Sequence, residues 1–351
     1  MSILGHKLSQ LAGHRLFWPS FTLLLLLVVA AIVKPEFLRV EWFDGHLSGN
    51  LIDVLNHAAP LMLVSIGMTL VIAVRGLDIS VGAVVAIAAA VAAVLIGGSL
   101  GADPVTQAAR FPLWFVVCGA LAAAMLCGLW NGLLIVHTGM QPIIATLILM
   151  VAGRGVAQLI ADGQILTIYY PPYFFIGSGF LLGLPFALLL AVGTALCLHL
   201  ALARTALGLF IRSIGSNPVA ARAAGVRARL ITTCLYVFCS LTAGLAGLII
   251  SSNVKSADGN NAGQLMELDA ILAVTLGGTS LTGGRFSVAG TMIGALIIQT
   301  LSSMIYSLGV APEVNLVVKA ALVFAVMLLQ SAEFRAVIRN LARPKQRLGL
   351  P

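Results

Sequence analysis

Three constellations in this 351-residue chain combine residue types and spacings that could do chemistry. The sharpest runs from Asn217-Pro218 through Val219-Ala220-Ala221-Arg222-Ala223-Ala224 to Gly225. Asn217 can cap a helix through its side-chain oxygen, and Pro218 suits the first helical position, where its missing N–H costs nothing. Gly225 suits the residue just past the end, where the backbone turns left-handed. The spacing predicts a two-turn helix about 10 Å long at 1.5 Å per residue. So short a helix is unstable alone and must pack on something. Its flanking Arg212, Arg222, Arg227 and Arg229 fit either a soluble protein partner or anionic lipid headgroups.

The second constellation is a set of charges inside apolar stretches. Asp78 lies between Gly76 and Gly82, beside Arg75. It reads as a path or gate residue, or as an ion pair or helix cap with Ser80. Glu267 and Asp269 head another apolar run, where carboxylates complement the positive end of a helix. Arg154, within Gly153-Arg154-Gly155, is expected to find a buried partner in Asp78 or Asp269, and Lys319 to snorkel outward. The third is Gly278-Thr279-Ser280-Leu281-Thr282-Gly283, which has the glycine spacing of a phosphate-binding loop. Gly284-Arg285 follows where that loop needs Lys and Ser/Thr, so a Gly-rich turn is expected and no nucleotide site. The six histidines, at 6, 14, 46, 57, 137 and 199, are scattered. The five cysteines, at 118, 127, 197, 234 and 239, read as small buried hydrophobes. Neither a catalytic set nor a metal site is expected, and the chain is not read as an enzyme.

Charged residues make up 9% of the chain and hydrophobic ones 60%, with a mean hydropathy of +1.06. That excludes a cytosolic enzyme, a disordered chain and a nucleic-acid-binding domain. A membrane-spanning helix needs about 20 mostly apolar residues. Ten suitable runs fall near 17–33, 54–74, 79–97, 112–136, 142–160, 180–202, 230–252, 268–283, 287–308 and 315–331. Twelve of the twenty Lys/Arg lie in segments 1–18, 203–229 and 331–351. Ten crossings put all three on one face, which clustered Lys/Arg mark as cytoplasmic. The run at 17–33 ends in Lys34-Pro35 with no small-residue cleavage site, so it is expected to be a retained span rather than a signal peptide. The expectation is a single all-α membrane domain over 1–351, with about ten spans, both termini cytoplasmic and a cytoplasmic loop at 203–229. Gly76-Leu77-Asp78-Ile79 and Glu267-Leu268-Asp269-Ala270 echo each other on opposite sides. Spans 2–5 and 7–10 could thus be inverted repeats. Gly290 and Gly294 form a small-xxx-small pair for close helix contact.

These motifs carry a family resemblance. The run 215–226 resembles the cytoplasmic coupling segment of permeases in the ribose-type family of ATP-binding cassette importers. Gly76-Leu77-Asp78-Ile79-Ser80-Val81-Gly82, Ala145-Thr146-Leu147, Glu267 to Ile271 and Leu276 to Leu281 are similar to the same family, in its order. Residues 145–160, Asn260-Asn261-Ala262-Gly263 and 294–299 resemble its galactofuranose-importing branch. The resemblance implies a bacterial inner-membrane permease working by alternating access, with a cassette ATPase that binds ATP and Mg in trans. It also implies a second homologous permease, favouring a different chain, and a periplasmic sugar-binding protein. Asn217, Pro218, Arg222 and Gly225 would couple to the ATPase. A sugar presents hydroxyls and no charge, so neutral polar groups are the path candidates: Asn131, Gln141, Thr146, Gln158, Thr279 and Gln299, with Asp78 as path or gate and Trp130 and Phe210 as stacking surfaces. Each could equally make an interhelical hydrogen bond. Asn260 and Asn261, in the polar stretch 253–263, are candidates for docking the binding protein, and the tyrosines at 169, 170 and 173 for docking or the membrane interface. Ribose, arabinose or another small molecule remains an alternative cargo. An ion-coupled secondary transporter is the alternative mechanism, disfavoured because the spans hold few acids.

Overall fold

In hydrocarbon, a backbone must satisfy its own N–H and C=O groups, and an α-helix does so within one segment. The computed structural model accordingly builds nearly every apolar run as a helix. It describes residues 16–43, 45–97 and 110–309, with scattered positions between 314 and 328. The helices are α1 Phe17–Val33, α2 Asn50–Ala73, α3 Val81–Ile96, α4 Leu113–His137, α5 Pro142–Ile160 and α6 Pro171–Ser178. They continue as α7 Phe186–Arg204, α8 Leu207–Ser216, α9 Pro218–Ala223, α10 Ala228–Val254, α11 Met266–Leu276 and α12 Val288–Ser307. Six of them, α2, α4, α5, α7, α10 and α12, are long and apolar enough to cross a membrane. Lys319, the basic termini and most of the expected tenth span lie outside the described residues.

Two long helices form the axis. The apolar stretch of α2 is 83% buried, whereas those of α4, α5 and α7 are 22% buried and turn apolar side chains outward. α2 packs against α10, α11 and α12, while α10 packs against α2, α3 and α4. α3 lies on α4 as α11 lies on α12. Exchanging α2–α3–α4 with α10–α11–α12 therefore preserves the pattern of contacts, as two related units would require.

Where lipid surrounds the protein, close packing and interhelical hydrogen bonds hold helices together. A β-carbon on Gly294 would lie 2.0 Å from the Ala273 carbonyl oxygen, and one on Gly290 2.1 Å from that of Gly277. α11 and α12 thus meet at backbone contact, as the small-xxx-small spacing predicts. The Thr69 and Thr291 hydroxyls join α2 to α12 at 2.7 Å.

Four expectations need correction. The run at 268–283 is not one span. α11 has 11 residues, about 16 Å, roughly half of a 30 Å hydrocarbon core. It begins beside Gly82, whose β-carbon would meet the Gly263 carbonyl and the Glu267 carboxylate. The chain between α10 and α11 descends alongside α5 before the helix starts. The connections 161–179 and 203–229 are also not plain loops, since they contain α6 and α8. The sixth run starts with a hairpin, β4 Phe180–Leu181 and β5 Leu184–Pro185, closed by Leu182-Gly183 with φ of 55° and 79°. Two more small antiparallel ribbons occur: β1 Glu41–Phe43 with β2 His46–Ser48, and β3 Leu166–Thr167 with β6 Ser256–Ala257. The cysteines are all free, but only Cys239 is buried. Cys118, Cys197 and Cys234 are exposed on α4, α7 and α10, where lipid tolerates a small apolar side chain.

Gly294→Val should lower the thermal midpoint of the purified protein in detergent, since overpacking costs about 1–3 kcal/mol. Gly155→Ala, which has open space around the new carbon, should leave it unchanged or raised. Equal midpoints for the two would contradict the α11–α12 contact.

Candidate functional site

One end of the bundle carries Arg75, Arg212, Arg222, Arg227, Arg229 and Arg285. There α9 forms as its local sequence dictates. Asn217 Oδ1 accepts from the amides of Val219 at 3.0 Å and Ala220 at 3.1 Å. At the far end the Gly225 amide donates to the Arg222 carbonyl and the Val226 amide to that of Ala221, both at 3.0 Å, with Gly225 at φ +82°. This pair of bonds is the Schellman closure. Ala221 is the side of α9 that packs, against Ile214, Ala228 and Val226. Val219, Ala220, Arg222 and Ala223 are exposed.

α9 is coupled to the rest of the bundle through backbone. Arg75, at φ +65°, donates from Nε to the Gly215 carbonyl at 2.6 Å and from Nη2 to that of Ser216. The Gly284 amide donates to the Ala73 carbonyl at 2.9 Å. A β-carbon on Gly215 would lie 1.9 Å from that same Ala73 oxygen and 2.4 Å from the Gly284 nitrogen. The end of α2, the end of α8 and the turn between α11 and α12 therefore converge directly before α9. The Gly278–Gly283 stretch is that turn, and Thr279, buried, accepts from the Ser287 amide at 3.3 Å. Arg75 was not singled out as a contact residue in the sequence. Its position, just past a span on the arginine-rich side, was the available signal.

Asp78, Asn131 and Thr146 come together deeper in the bundle, all fully buried. Asp78 Oδ1 accepts from the Ser80 amide at 3.0 Å, the Ser80 hydroxyl at 2.6 Å and the Asn131 amide at 3.5 Å. Thr146 accepts from the Ile79 amide at 3.3 Å. This cluster fastens the α2–α3 turn to α4 and α5, and its side chains are enclosed by protein. The partner expected for Arg154 is corrected. The Asp78 carboxylate is engaged by Ser80 and Asn131, and Arg154 instead donates to the carbonyls of Gly259 at 3.4 Å, Asn260 at 3.2 Å and Ala262. The carboxylates that bear on it are Glu267 and Asp258. Gln158 donates to Asn260 Oδ1, so a path candidate and a docking candidate are one pair.

Asp258 organises the same stretch. Its Oδ1 accepts from the Asn260 amide at 2.8 Å and the Asn261 amide at 3.3 Å, and its Oδ2 from the Asn261 side chain at 2.7 Å. Slight burial alone would raise the Asp258 carboxyl, but these bonds and Arg154 hold it below the ordinary value.

Gln299 on α12 walls two hollows shared with Asp269. One, of about 400 Å³, also has Gln264, Leu265, Ser302 and Tyr306 around it. The other, of about 190 Å³, reaches His57 and Asn253. Gln141 is exposed at the start of α5. Trp130 is exposed on α4, and Phe210 borders a hollow beside Gly225 and Leu230, away from Gln299. Among the described residues, no three His, Cys, Asp or Glu side chains are grouped to hold a metal ion.

A bundle of long apolar helices with a short capped helix at one end fits a membrane protein, and the comparisons give its family. The sequence model of the family described as "Branched-chain amino acid transport system / permease component" matches residues 50–327. The chain is 47% identical over 332 residues to the galactofuranose transporter permease protein YtfT of Escherichia coli K12, covering 93% of this chain and 94% of that one. It is 33% identical to the fructose import permease protein FruF of Bifidobacterium longum, covering 96% and 93%. It is 36% identical to the ribose import permease protein RbsC of Bacillus subtilis, covering 89% and 91%. No solved structure matches the chain. The chain belongs to this permease family of ATP-binding cassette importers, as a multi-pass, inner-membrane sugar-transport component rather than an enzyme.

Asp258 favours the folded 256–264 stretch while ionised. A depressed carboxyl contributes above its unfolded value, about pH 3.9, and the contribution is lost as pH falls through the lower folded value. Hydrogen exchange of the 259–262 amides should stay constant from pH 7 to 5, after correction for intrinsic rates, and rise below about pH 4. Asp258→Asn should weaken this dependence; an unchanged profile would contradict the carboxylate's role.

Proposed function

We propose that the chain is one half of the membrane path of a furanose-form hexose importer, with galactofuranose favoured. Supporting that cargo is the 47% identity, over nearly full length, to a galactofuranose transporter permease, against 36% for a ribose permease. The observation that carries the importer reading is α9. It is capped at both ends, packed on one side and exposed on the other among arginines, as a helix seated in a partner's groove must be.

In this reading the arginine-rich end is cytoplasmic, the chain crosses ten times and both termini are cytoplasmic. Segments 2–5 and 7–10 are inverted units, consistent with the exchangeable packing of α2–α4 and α10–α12. A cassette ATPase binds ATP and Mg, and α9 sits in its groove with Arg222 setting orientation. Closure of the ATPase dimer moves α9. The Arg75 bonds to Gly215 and Ser216, and the contact of Gly284 with Ala73, carry that displacement into α2 and the α11–α12 turn. Asn131, Thr146 and Asp78 then act as a buried joint. Gln158 with Asn260, and Asn261 beside it, form the surface that receives a periplasmic sugar-binding protein. A second, different but homologous permease completes the path, and lipid surrounds both.

Gly225→Val tests the coupling. The new β-carbon meets nothing within 4 Å, so any effect comes from φ +82°. That conformation costs an L residue about 1–2 kcal/mol, enough to unseat a two-turn helix. Sugar-stimulated ATP hydrolysis and uptake should be abolished with the chain still in the membrane, and Gly225→Asn should retain them. Normal coupling by the valine variant would sink the assignment. A pull-down of the full chain from native membranes should recover a cassette ATPase together with a second, different permease. Recovery of the ATPase with this permease alone would move the cargo toward ribose or arabinose, and recovery without any ATPase would overturn the importer.

A further inference from the structure

We infer that Asp269, Gln299, Gln264, Ser302 and Tyr306 form a hydroxyl-recognising subsite for a monosaccharide at the mouth of the α11–α12 groove. The inference rests on the importer reading above and deepens it by naming the substrate contacts on this chain.

Four observations converge. First, α12 carries a polar stripe: Gln299, Ser302, Ser303 and Tyr306 stand at spacings of three and four and so share a face, with Gln299 Nε2 donating to Ser303 Oγ at 3.4 Å and Ser302 Oγ to the Ile298 carbonyl at 3.0 Å. Polar groups on a membrane helix face a cavity or a partner, since lipid would leave them unpaired. Second, Gln299, Ser302 and Tyr306 of that face border a hollow of about 400 Å³, within the usual range for small-molecule sites, whose apolar wall is Leu268, Leu272, Leu316 and Ala320. Third, Asp269 on the first turn of α11 stands across this hollow from the stripe and also borders the smaller hollow behind Gln299. A carboxylate accepts two hydroxyl donors, and an amide both donates and accepts, which suits vicinal hydroxyls. Tyr306, 55% exposed, adds a ring face for the apolar side of a sugar.

The fourth observation is strain. Leu265, directly before α11, holds φ +59° and ψ 8° while lining the same hollow. Left-handed backbone is rare for a branched side chain, and such outliers cluster at ligand sites. The strained residue sets where α11 begins, and with it where Asp269 stands. On sequence, Gln299 is a path candidate and Asp269 complements a helix end. The groove joins the two.

The test uses the whole importer in proteoliposomes: this chain, its partner permease, the ATPase and the binding protein loaded with radiolabelled D-galactose. Asp269→Asn and Gln299→Leu should each lower uptake about tenfold, the effect of one lost hydrogen bond to a charged or buried group. ATP hydrolysis stimulated by the loaded binding protein should stay at the wild-type level, because docking and coupling lie elsewhere. Ser302→Ala, which only removes a hydroxyl, should change the ratio of galactose to ribose uptake and provides the readout if a larger change prevents assembly. Wild-type uptake and selectivity in all three variants would overturn the subsite while leaving the importer intact. Uptake and ATP hydrolysis falling in parallel would assign these residues a structural role and overturn it too. A wild-type complex that moves no monosaccharide would remove the importer reading itself.

Discussion

The constraint that governs this structure is that a peptide group in hydrocarbon must find its partner inside the protein. Helices meet it automatically, and breaks in helices do not. Three breaks fall within the bundle, at 74–80, 255–265 and 277–287, and each is repaired by named groups. Arg154 gathers the carbonyls of Gly259, Asn260 and Ala262. Asp78 and Thr146 take the amides of Ser80 and Ile79. The Gly284 amide finds Ala73, and Arg75 finds Gly215 and Ser216. An unpaired buried amide costs on the order of 1–3 kcal/mol or more, so these repairs are conditions for the breaks to exist. The costly intramembrane charges are thus first of all partners for backbone.

The breaks matter because they free short helices to be placed independently. α11 starts beside Gly82, at the head of α3, which no continuous helix running on from α10 could do. The two ends of the bundle then differ in kind. At the arginine-rich end, Gly215, Gly284 and Ala73 touch backbone to backbone, with no side chain between them to yield. At the other end, the 256–264 stretch hangs on side-chain bonds from Arg154, Gln158 and Asp258. Close backbone contact transmits displacement, whereas bonds from long side chains can be exchanged for others as a loop moves. The proposed alternating-access reading uses both properties, one at each end.

What the sequence disclosed follows from how local each signal was. The caps of α9 were legible because Asn217, Pro218 and Gly225 act within nine residues, through bonds to their own helix. The Gly290–Gly294 contact was legible because a small-residue spacing specifies closeness without naming the neighbour. The partner of Arg154 was not, since carbonyls of a loop more than 100 residues away leave no mark in residue type. The half-length of α11 was hidden for a related reason. Residues 268–283 are apolar enough to span, but the helix ends at Leu276, where Gly277 approaches Gly290 and Gly278 turns to φ +82°. α8 was hidden inside a segment read for its charge, although its residues alternate at helical period.

The position of Asp269 shows how the same chemistry changes meaning with context. On sequence it complements a helix end, and it does stand in the first turn of α11. A carboxylate there lines two hollows because α11 begins beside Gly82, packed against α12. That start depends on Leu265 in a left-handed conformation and on the descent of 256–264 alongside α5, which Arg154 secures. The helix-end role and the groove role are therefore consequences of one break in one helix. The same break that creates a backbone debt to be settled by Arg154 creates the polar wall beside Gln299.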